Sequence, residues 1–397
     1  MRRQVIALIL IAVLTCIGTA ENSPLSPPPP ESVLTVGALL PLHGDSSNYG
    51  ISAQIALEIA EADINKFFSD LGRTIRVRVI VEDTQTDPDI TLKALKALQA
   101  QGISIMVGPE QSQSLANVQE YANQNGIILV SCASTAPSLA IRNDTTFRLV
   151  PDDATLAHLL AFLMQRDGIK VIIPLARRDM WADGMLNATK REFELEGRIM
   201  QEAVRYDPQT TNFSSHLNLL RSGVRGAVDD NGADYVAVYV SAFDEIVTIL
   251  SQAAGDPELS EVRWYGNDLS TAAVSQNKEA SEFAFSVHLL SPVYGGMSGP
   301  KYEQIKKAIF SETGREASSL VANDYDALWL ITYTYLATGS DDANAFKQAF
   351  PVVAGRYRGE FGWMNLNEAG DLKNVPYTLA TLKKDNDTYQ WVPYAIL

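Results

Sequence analysis

From residue 33 onward, short runs of apolar and β-branched residues alternate with longer segments in which apolar residues recur at helical spacing. Short apolar runs bounded by turn residues are typical of buried strands. The pattern predicts strands over residues 36–40, 77–81, 103–107, 127–131, 171–174, 235–240, 262–265 and 283–289.

The longer segments predict amphipathic helices. The clearest covers residues 49–68, where Ile51, Ile55 and Ile59 fall on roughly one face and Gly72 follows the end. Similar spacing predicts helices over 90–99, 115–124, 156–164, 184–195, 243–253 and 302–310. The repeated strand–helix–strand order predicts an α/β fold with parallel sheets covered by helices on both faces. Ligands of such sheets bind beyond the carboxyl ends of the strands.

Residues 1–20 have the organisation of a secretory signal peptide, which predicts export. A basic pair precedes an apolar run over 5–14, and small residues at 18–20 stand at cleavage spacing. The apolar run is shorter than the roughly 20 residues that a membrane-spanning helix needs. Residues 13–16 also resemble a lipoprotein cleavage box, so Cys16 is a candidate for lipidation. The alternative is that Cys16 is an apolar residue of a leader that is discarded whole.

Residues 21–32 contain a run of prolines, which lack a backbone donor, and predict an extended linker before the folded part. The rest of the chain is longer than a single hydrophobic core usually supports, and its length suits two lobes. The formal charge of −15 argues against a nucleic-acid partner, because phosphates demand a basic surface. Cys132 is the one cysteine after the leader, and its apolar neighbours predict a buried, unreactive thiol.

Motifs for catalysis and metal binding are absent from the sequence. It contains no glycine-rich phosphate loop, no nucleophile elbow and no paired histidines on a helix. Each of the four histidines lacks a second histidine, cysteine or carboxylate at ligand spacing, which favours structural roles. We therefore expect a binding protein that is not an enzyme and that uses neither a cofactor nor a metal.

Short polar motifs follow most of the predicted strands, where a parallel sheet places its ligand. They form the loops 41–50, 108–112, 131–137, 178–184, 241–243 and 266–269. Each motif alone is common. Together, in order and spacing, from about residue 34 to beyond residue 330, they resemble the type I periplasmic solute-binding proteins of the branched-chain amino-acid uptake family.

The resemblance implies two doubly wound parallel-sheet lobes joined by a three-crossing hinge, with a small ligand, an amino acid, in the cleft between them. The expected division is 33–153 plus 290–345 for the first lobe and 154–289 plus 346–397 for the second. Hinge closure around the ligand would present the closed form to a membrane ABC permease. The protein is expected to be a monomer in the periplasm or at the cell surface, anchored there if Cys16 is lipidated.

An amino-acid ligand needs separate partners for its carboxylate, its ammonium and its side chain. The resemblance assigns the carboxylate to Ser112 and to the turn of Ala133, Ser134 and Thr135. These residues stand where helices begin, and the free N–H groups there favour an anion. The alternative is that the hydroxyls only cap the helices.

The resemblance assigns the ligand ammonium to Asp268, because a charge-assisted contact selects ligands that carry an amine. The alternative for Asp268 is a helix cap. The family pattern also places Tyr49, Trp181 and Phe243 around the ligand, where the rings would bury its apolar part. The alternative for these three is an ordinary role in the core.

Two departures from the family pattern bear on the ligand. Trp181 stands where tyrosine is common, and residues 110–111 bring a glutamate and a glutamine before Ser112 where small or apolar residues are frequent. A bulkier wall and an added carboxylate would favour a small or polar ligand over leucine. Other functions also stay open, namely a ligand-sensing ectodomain for signalling, a secreted hydrolase, and a receptor for a small amide or carboxylic acid.

Overall fold

The structure is a computed structural model that describes residues 32–267, 274–295, 299–373, 375–386 and 388–396. Within those ranges, every helix is too short or too polar to span a lipid bilayer. The described chain folds into two α/β halves, each built on its own large sheet.

The first sheet is parallel throughout, with the strand order β2–β1–β3–β4–β5. Its strands are β1 Ser32–Leu40, β2 Ile75–Asp83, β3 Ile105–Val107, β4 Ile128–Ser131 and β5 Thr146–Arg148. The helices between them are α1 Ser47–Asp70, α2 Pro88–Ala100 and α3 Ser112–Gln124. Strands β3 and β4 are buried along their whole length, because helices cover both faces of the sheet.

The second sheet has the order β15–β14–β11–β10–β9–β6–β7, and β8 also pairs with β6. Its strands are β6 Val171–Arg177, β7 Ile199–Met200, β8 Val204–Tyr206, β9 Val236–Ser241, β10 Arg263–Tyr265, β11 Leu290–Tyr294, β14 Tyr377–Asp385 and β15 Thr388–Ile396. Strands β14 and β15 are antiparallel to their neighbours, and the other pairs are parallel. The helices of this half are α4 Asp153–Arg166, α5 Met180–Phe193, α6 Ser214–Asn231, α7 Ile246–Ala253 and α8 Lys278–Ser286.

The chain passes between the two halves three times, which agrees with the expected three crossings. The passages lie between β5 and α4, after β11, and before β14. Between the last two, the chain forms α9 Pro300–Thr313, α10 Val321–Thr338, α11 Ala343–Ala354 and a ribbon of β12 Arg358–Gly359 and β13 Gly362–Trp363. The fold is therefore the predicted pair of doubly wound lobes.

One part of the expected division differs from the packing. Phe346 and Phe350 of α11 are fully buried in the core of the first half, where the ring of Phe350 lies 4.5 Å from that of Phe147 in β5. Leu372 joins the same core. The sequence-based division assigns 346–397 to the second lobe, but only the final hairpin of β14 and β15 joins the second sheet. A single aromatic stripe on α11 does not reveal which of two cores it faces.

The strand predicted over 283–289 is also wrong, because that segment is the end of α8 and a turn. Phe283 and Ala284 are buried together with Ala280, which is helical spacing, and the strand follows at Leu290–Tyr294. A short apolar run does not by itself distinguish a buried strand from a buried helical turn.

Candidate ligand-binding site

A cavity of about 120 Å³ opens between the two halves, at the carboxyl ends of the strands. Cavities of this order take up molecules of roughly the size of benzene. The loops after β1, β3, β4, β6 and β9 and the segment before α10 supply its lining, which consists of Asp45, Ser46, Asn48, Tyr49, Ser52, Glu110, Gln111, Ser112, Ala133, Thr135, Trp181, Phe243, Asp244, Glu316, Ser318 and Leu320. The structure thus brings six of the eight predicted site residues to one place.

The start of α3 lies at one end of the cavity. Ser112 is the first residue of α3, is buried, and accepts a hydrogen bond at Oγ from the N–H of Ala136, 3.2 Å away. Gln111 is the N-cap and makes no side-chain cap bond, so the alternative that Ser112 caps this helix is wrong. Thr135 lines the cavity and is not the cap of the short 3₁₀ turn that follows, because that position belongs to Ala136. Free N–H groups at a helix start favour an anion.

Ser134 is placed behind the cavity wall and does not line the cavity. Its Oγ lies 3.1 Å from the carbonyl of Pro109 and 3.0 Å from that of Glu110. Beneath the turn, Arg148 donates to the carbonyl of Ser134 and is held by Asp371 at 2.6 Å. Ser134 therefore joins the turn to the loop before α3. Contrary to the prediction, it does not line the cavity.

The loop before α3 depends on a glycine at its first position. Gly108 has φ of +85°, in the region that side chains rarely adopt, and a Cβ there would lie 2.5 Å from the carbonyl oxygen of Leu39. This close approach seats the loop against β1 and turns residues 110–112 toward the cavity.

Aromatic rings form the wall on the side of the second sheet. The rings of Trp181 and Phe243 are 4.7 Å apart at an interplanar angle of 37°, and both line the cavity. The guanidinium of Arg177 lies over the Phe243 ring, 3.8 Å from its centre. Tyr49 lines the cavity from the first turn of α1. The three rings thus line one cavity, and their contact with a ligand stays a prediction.

A buried acidic cluster lies beneath Tyr49. The Tyr49 hydroxyl donates to Asp324 Oδ2 at 2.7 Å, and Glu110 accepts from the N–H of Cys132 at 3.0 Å. Burial and the neighbouring Asp324 raise the pKa of Glu110 well above its usual range, and burial raises the pKa of Asp324 to about 7. Glu110 Oε1 and Asp324 Oδ1 receive no bond from a fixed donor in the described chain, so the two carboxyls are each other's partners once one is protonated.

This cluster is also the group of side chains whose donor atoms come closest to metal-binding geometry. Glu110, Cys132 and Asp324 each bring one such atom within 4.8 Å of the others, and all three are buried. Burial raises the pKa of the Cys132 thiol well above its ordinary value, as do the neighbouring carboxylates. Metal ligands must be deprotonated. In its protonated form the cluster is held by its own hydrogen bonds instead.

Arg177, the last residue of β6, joins the two halves at the edge of the cavity. Its guanidinium contacts Asp45 at 2.6 Å, Asp179 at 2.5 Å and Glu245 at 2.9 Å, and only Asp45 belongs to the first half. Burial opposes its charge, but Glu245, Asp179 and Asp45 outweigh burial and raise the pKa of Arg177. A second bond across the cleft runs from the amide of Asn48 to the carboxylate of Asp244.

Asp268 lies outside the residues that the structure describes, so its contact with a ligand ammonium stays a prediction. The sequence did not predict Glu316, Ser318 and Leu320 as site residues, because they precede a helix and follow no strand. Asp45 and Asn48 lie in the loop after the first strand, and this position at a strand end could have identified them as site residues.

Comparisons with known proteins agree with this architecture. A family model described as periplasmic binding protein matches residues 33–387. An uncharacterised protein of Methanocaldococcus jannaschii is 28% identical over 388 residues, which cover 93% of this chain and 92% of that one. The fold is shared with a leucine-binding protein of Thermotoga maritima, with a TM-score of 0.72, 19% identity, and coverage of 92% of this chain and 98% of that chain. It is also shared with a solute-binding protein of Rhodopseudomonas palustris solved with 3,4-dihydroxybenzoic acid, with a TM-score of 0.74, 15% identity, and coverage of 92% and 97%.

Proposed function

This chain belongs to the periplasmic binding protein family, and from that premise we propose that it is an extracytoplasmic receptor which captures an amino acid in the cleft and delivers it to an ABC permease. The observation that carries the proposal is the meeting of an anion-binding helix start, an aromatic wall and several carboxylates in one cavity between two lobes. This set provides a partner for each part of an amino acid, and binding is the whole of the activity, with no chemical step.

The carboxylate of the ligand would lie at the start of α3. The N–H groups of the first turn and the hydroxyls of Ser112 and Thr135 are donors there, and the helix dipole adds to the attraction. Ser112 Oγ already accepts a bond from Ala136, which leaves its O–H proton free to point into the cavity.

Closure of the two lobes would complete the site. The first half contributes Ser112 and Thr135 and the second contributes Trp181 and Phe243, so a ligand in the cavity touches both. A ligand that bridges two lobes favours the closed form through the contacts made only there. That closed form is what a permease would recognise, and the leader sequence would place the receptor outside the cytoplasmic membrane.

A second candidate ligand is a carboxylic acid without an amine. The solute-binding protein of Rhodopseudomonas palustris was solved with such an acid and shares the fold. The same helix start would hold its carboxylate, and Trp181 and Phe243 would stack on its ring. The carboxylates of this cavity favour the amino acid, because they offer an ammonium a partner and offer an aromatic acid none.

The experiment is a thermal-shift screen of the mature protein against amino acids, small amides and aromatic acids, followed by calorimetry on each hit. A ligand that binds only the folded state raises the melting temperature. The radius of gyration from solution scattering should fall when a hit is added at saturation. A screen in which no compound of these classes binds would overturn the proposal, as would chemical conversion of the hit on incubation with the protein.

A further inference from the structure

The charged side chains that line the cavity are all carboxylates, namely Asp45, Glu110, Asp244 and Glu316. No lysine, arginine or histidine stands among the described lining residues. A cavity of one charge sign focuses its field on the ligand and selects the opposite sign. The ligand preference therefore depends on how many of these four carboxylates lack a positively charged partner or a bound proton.

Two of the four carboxylates already have a partner within the protein. Asp45 is ion-paired with Arg177 at 2.6 Å. Glu110 is buried beside Asp324, and this pair holds a proton because two desolvated carboxylates at contact distance do not both ionise. Neither therefore demands a cation from the ligand.

Asp244 and Glu316 have no such compensation. Asp244 accepts a hydrogen bond from the amide of Asn48, which is uncharged. Glu316 is exposed and forms no ion pair with any residue in the described ranges. A second opening next to the cavity is lined in addition by Glu312 and one cation, Arg315, and these two charges cancel. Asp244 and Glu316 therefore still lack a positive partner.

Two further features of the same cavity favour a ligand rich in donors. Gln111 Oε1 is shielded from solvent and receives no hydrogen bond from a described residue, so it is an acceptor in need of a donor. The Arg177 guanidinium lies over the Phe243 ring, and the Trp181 ring packs against Phe243 at an interplanar angle of 37°. Aromatic faces attract cations, and an indole face does so most strongly.

Resting on the proposed function, we propose that the ligand is an amino acid with a cationic side chain, such as lysine, ornithine or arginine. Its α-carboxylate would lie at the start of α3. Its side chain would extend from the cavity into the second opening, and the cation would lie against Asp244 and Glu316, which line both. Leucine brings a single ammonium to two carboxylates, so at least one of them would lack a partner as the cleft closes, and an aromatic acid would add negative charge to them. The cavity thus discriminates against both by charge.

The first test is calorimetry of the wild-type protein with L-lysine, L-ornithine, L-arginine, L-leucine and 3,4-dihydroxybenzoate. We expect at least one cationic amino acid to bind about ten-fold or more tighter than leucine, as a charge-assisted contact predicts. Raising the ionic strength should weaken that ligand and leave leucine almost unchanged. Tighter binding of leucine or of the aromatic acid would overturn this inference and leave the proposed function standing. Failure of all five to bind, together with an empty broader screen, would overturn both.

The second test removes the two charges. The double variant Asp244→Asn, Glu316→Gln should lose about ten-fold or more of its affinity for the cationic amino acid and clearly less of its affinity for leucine, which has no side-chain cation. The matched control is Asp234→Asn, Glu261→Gln, which makes the same change of charge on exposed residues outside the cavity. If both double variants weaken the cationic ligand equally, general attraction by the acidic protein explains the preference, and the placement at Asp244 and Glu316 is wrong.

Discussion

Arg177 and Asp45 form an ion pair across the cleft, with Nη2 and Oδ2 2.6 Å apart and only 3% of the arginine side chain exposed. Arg177 ends strand β6 of the second sheet, whereas Asp45 lies in the loop after β1 of the first. Asp179 and Glu245 hold the guanidinium from its own side. The arginine is therefore preset within one lobe, and Asp45 is the partner that it gains when the lobes meet.

Asp45→Asn should shift the receptor toward its open form. The amide keeps an acceptor for Arg177 but removes the charge, which should cost about 1–2 kcal/mol of closure for a half-buried pair. We expect a larger radius of gyration without ligand, measured by solution scattering, and an affinity lower by about five- to thirty-fold by calorimetry.

The control for this variant is Asp183→Asn. Asp183 pairs with Arg205 within the second half, so its loss leaves the contact between the lobes in place. If Asp45→Asn leaves both the scattering profile and the affinity as in the wild type, the ion pair does not contribute to closure.

Thr135→Val should weaken binding without unfolding the protein. The valine has the same shape but cannot donate to the ligand carboxylate, and an unpaired buried partner costs on the order of 1–3 kcal/mol. Calorimetry should report the loss of affinity, and the melting temperature without ligand should change little. Thr332→Val is the control, because Thr332 is buried in α10 and bonds only its own helix, at Leu328 O. Equal affinities for wild type and Thr135→Val would place the carboxylate elsewhere.

Asp268→Ala tests a residue that only the sequence assigns. If Asp268 faces the ligand ammonium, its loss should cost on the order of 2–5 kcal/mol with amino acids and much less with analogues that lack the amine. A helix cap would instead cost about 1 kcal/mol of stability and no affinity. Asp342→Ala shows what the structural outcome looks like, since Asp342 caps α11 by accepting from the N–H of Ala345, away from the cavity. Titration and melting of the same samples separate the two.

The sequence predicts the fold and the strand-end loops well for a physical reason. Buried parallel strands such as Ile128–Ser131 are almost entirely apolar, and the loops that follow them carry the polar residues of the site. Tyr49, Ser112 and Trp181 stand in or next to those loops, and the resemblance to the family, which the loops carry by their order along the chain, assigned these residues to the site.

A local sequence pattern does not predict contacts between residues that are distant in the chain. Asp324 lies in an almost wholly buried helix, 275 positions from the Tyr49 hydroxyl that it accepts from. Nothing near Asp324 in the sequence identifies Tyr49, Glu110 or Cys132 as its neighbours. The same holds for Glu316, whose place at the cavity follows from the way α9 and α10 pack on the first sheet. A one-dimensional pattern predicts which face of an element is buried, and it leaves open what the element is buried against.

Asp324→Asn should make the stability of the protein less sensitive to pH. Burial raises the pKa of Asp324 to about 7, so the folded chain keeps a proton that the unfolded chain releases near pH 4. The stability linked to this proton is fully present below about pH 4 and is lost as the pH rises through about 7, at up to about 1.4 kcal/mol per pH unit. The amide keeps an acceptor for Tyr49 and does not titrate, so its melting temperature should fall less between about pH 5 and pH 8.

Two features make this experiment decisive. Asp326 also has a pKa raised to about 7 by burial, so part of the wild-type slope should survive in Asp324→Asn and fall further when Asp326→Asn is added. Asp70→Asn removes an exposed carboxylate on α1 that pairs with Lys66, and it should keep the full wild-type slope. Because each of the three single variants removes one carboxyl group from the chain, an effect of the number of carboxyl groups alone would flatten the three curves alike. Flattening confined to Asp324→Asn and Asp326→Asn instead locates the proton in the buried carboxyls of α10.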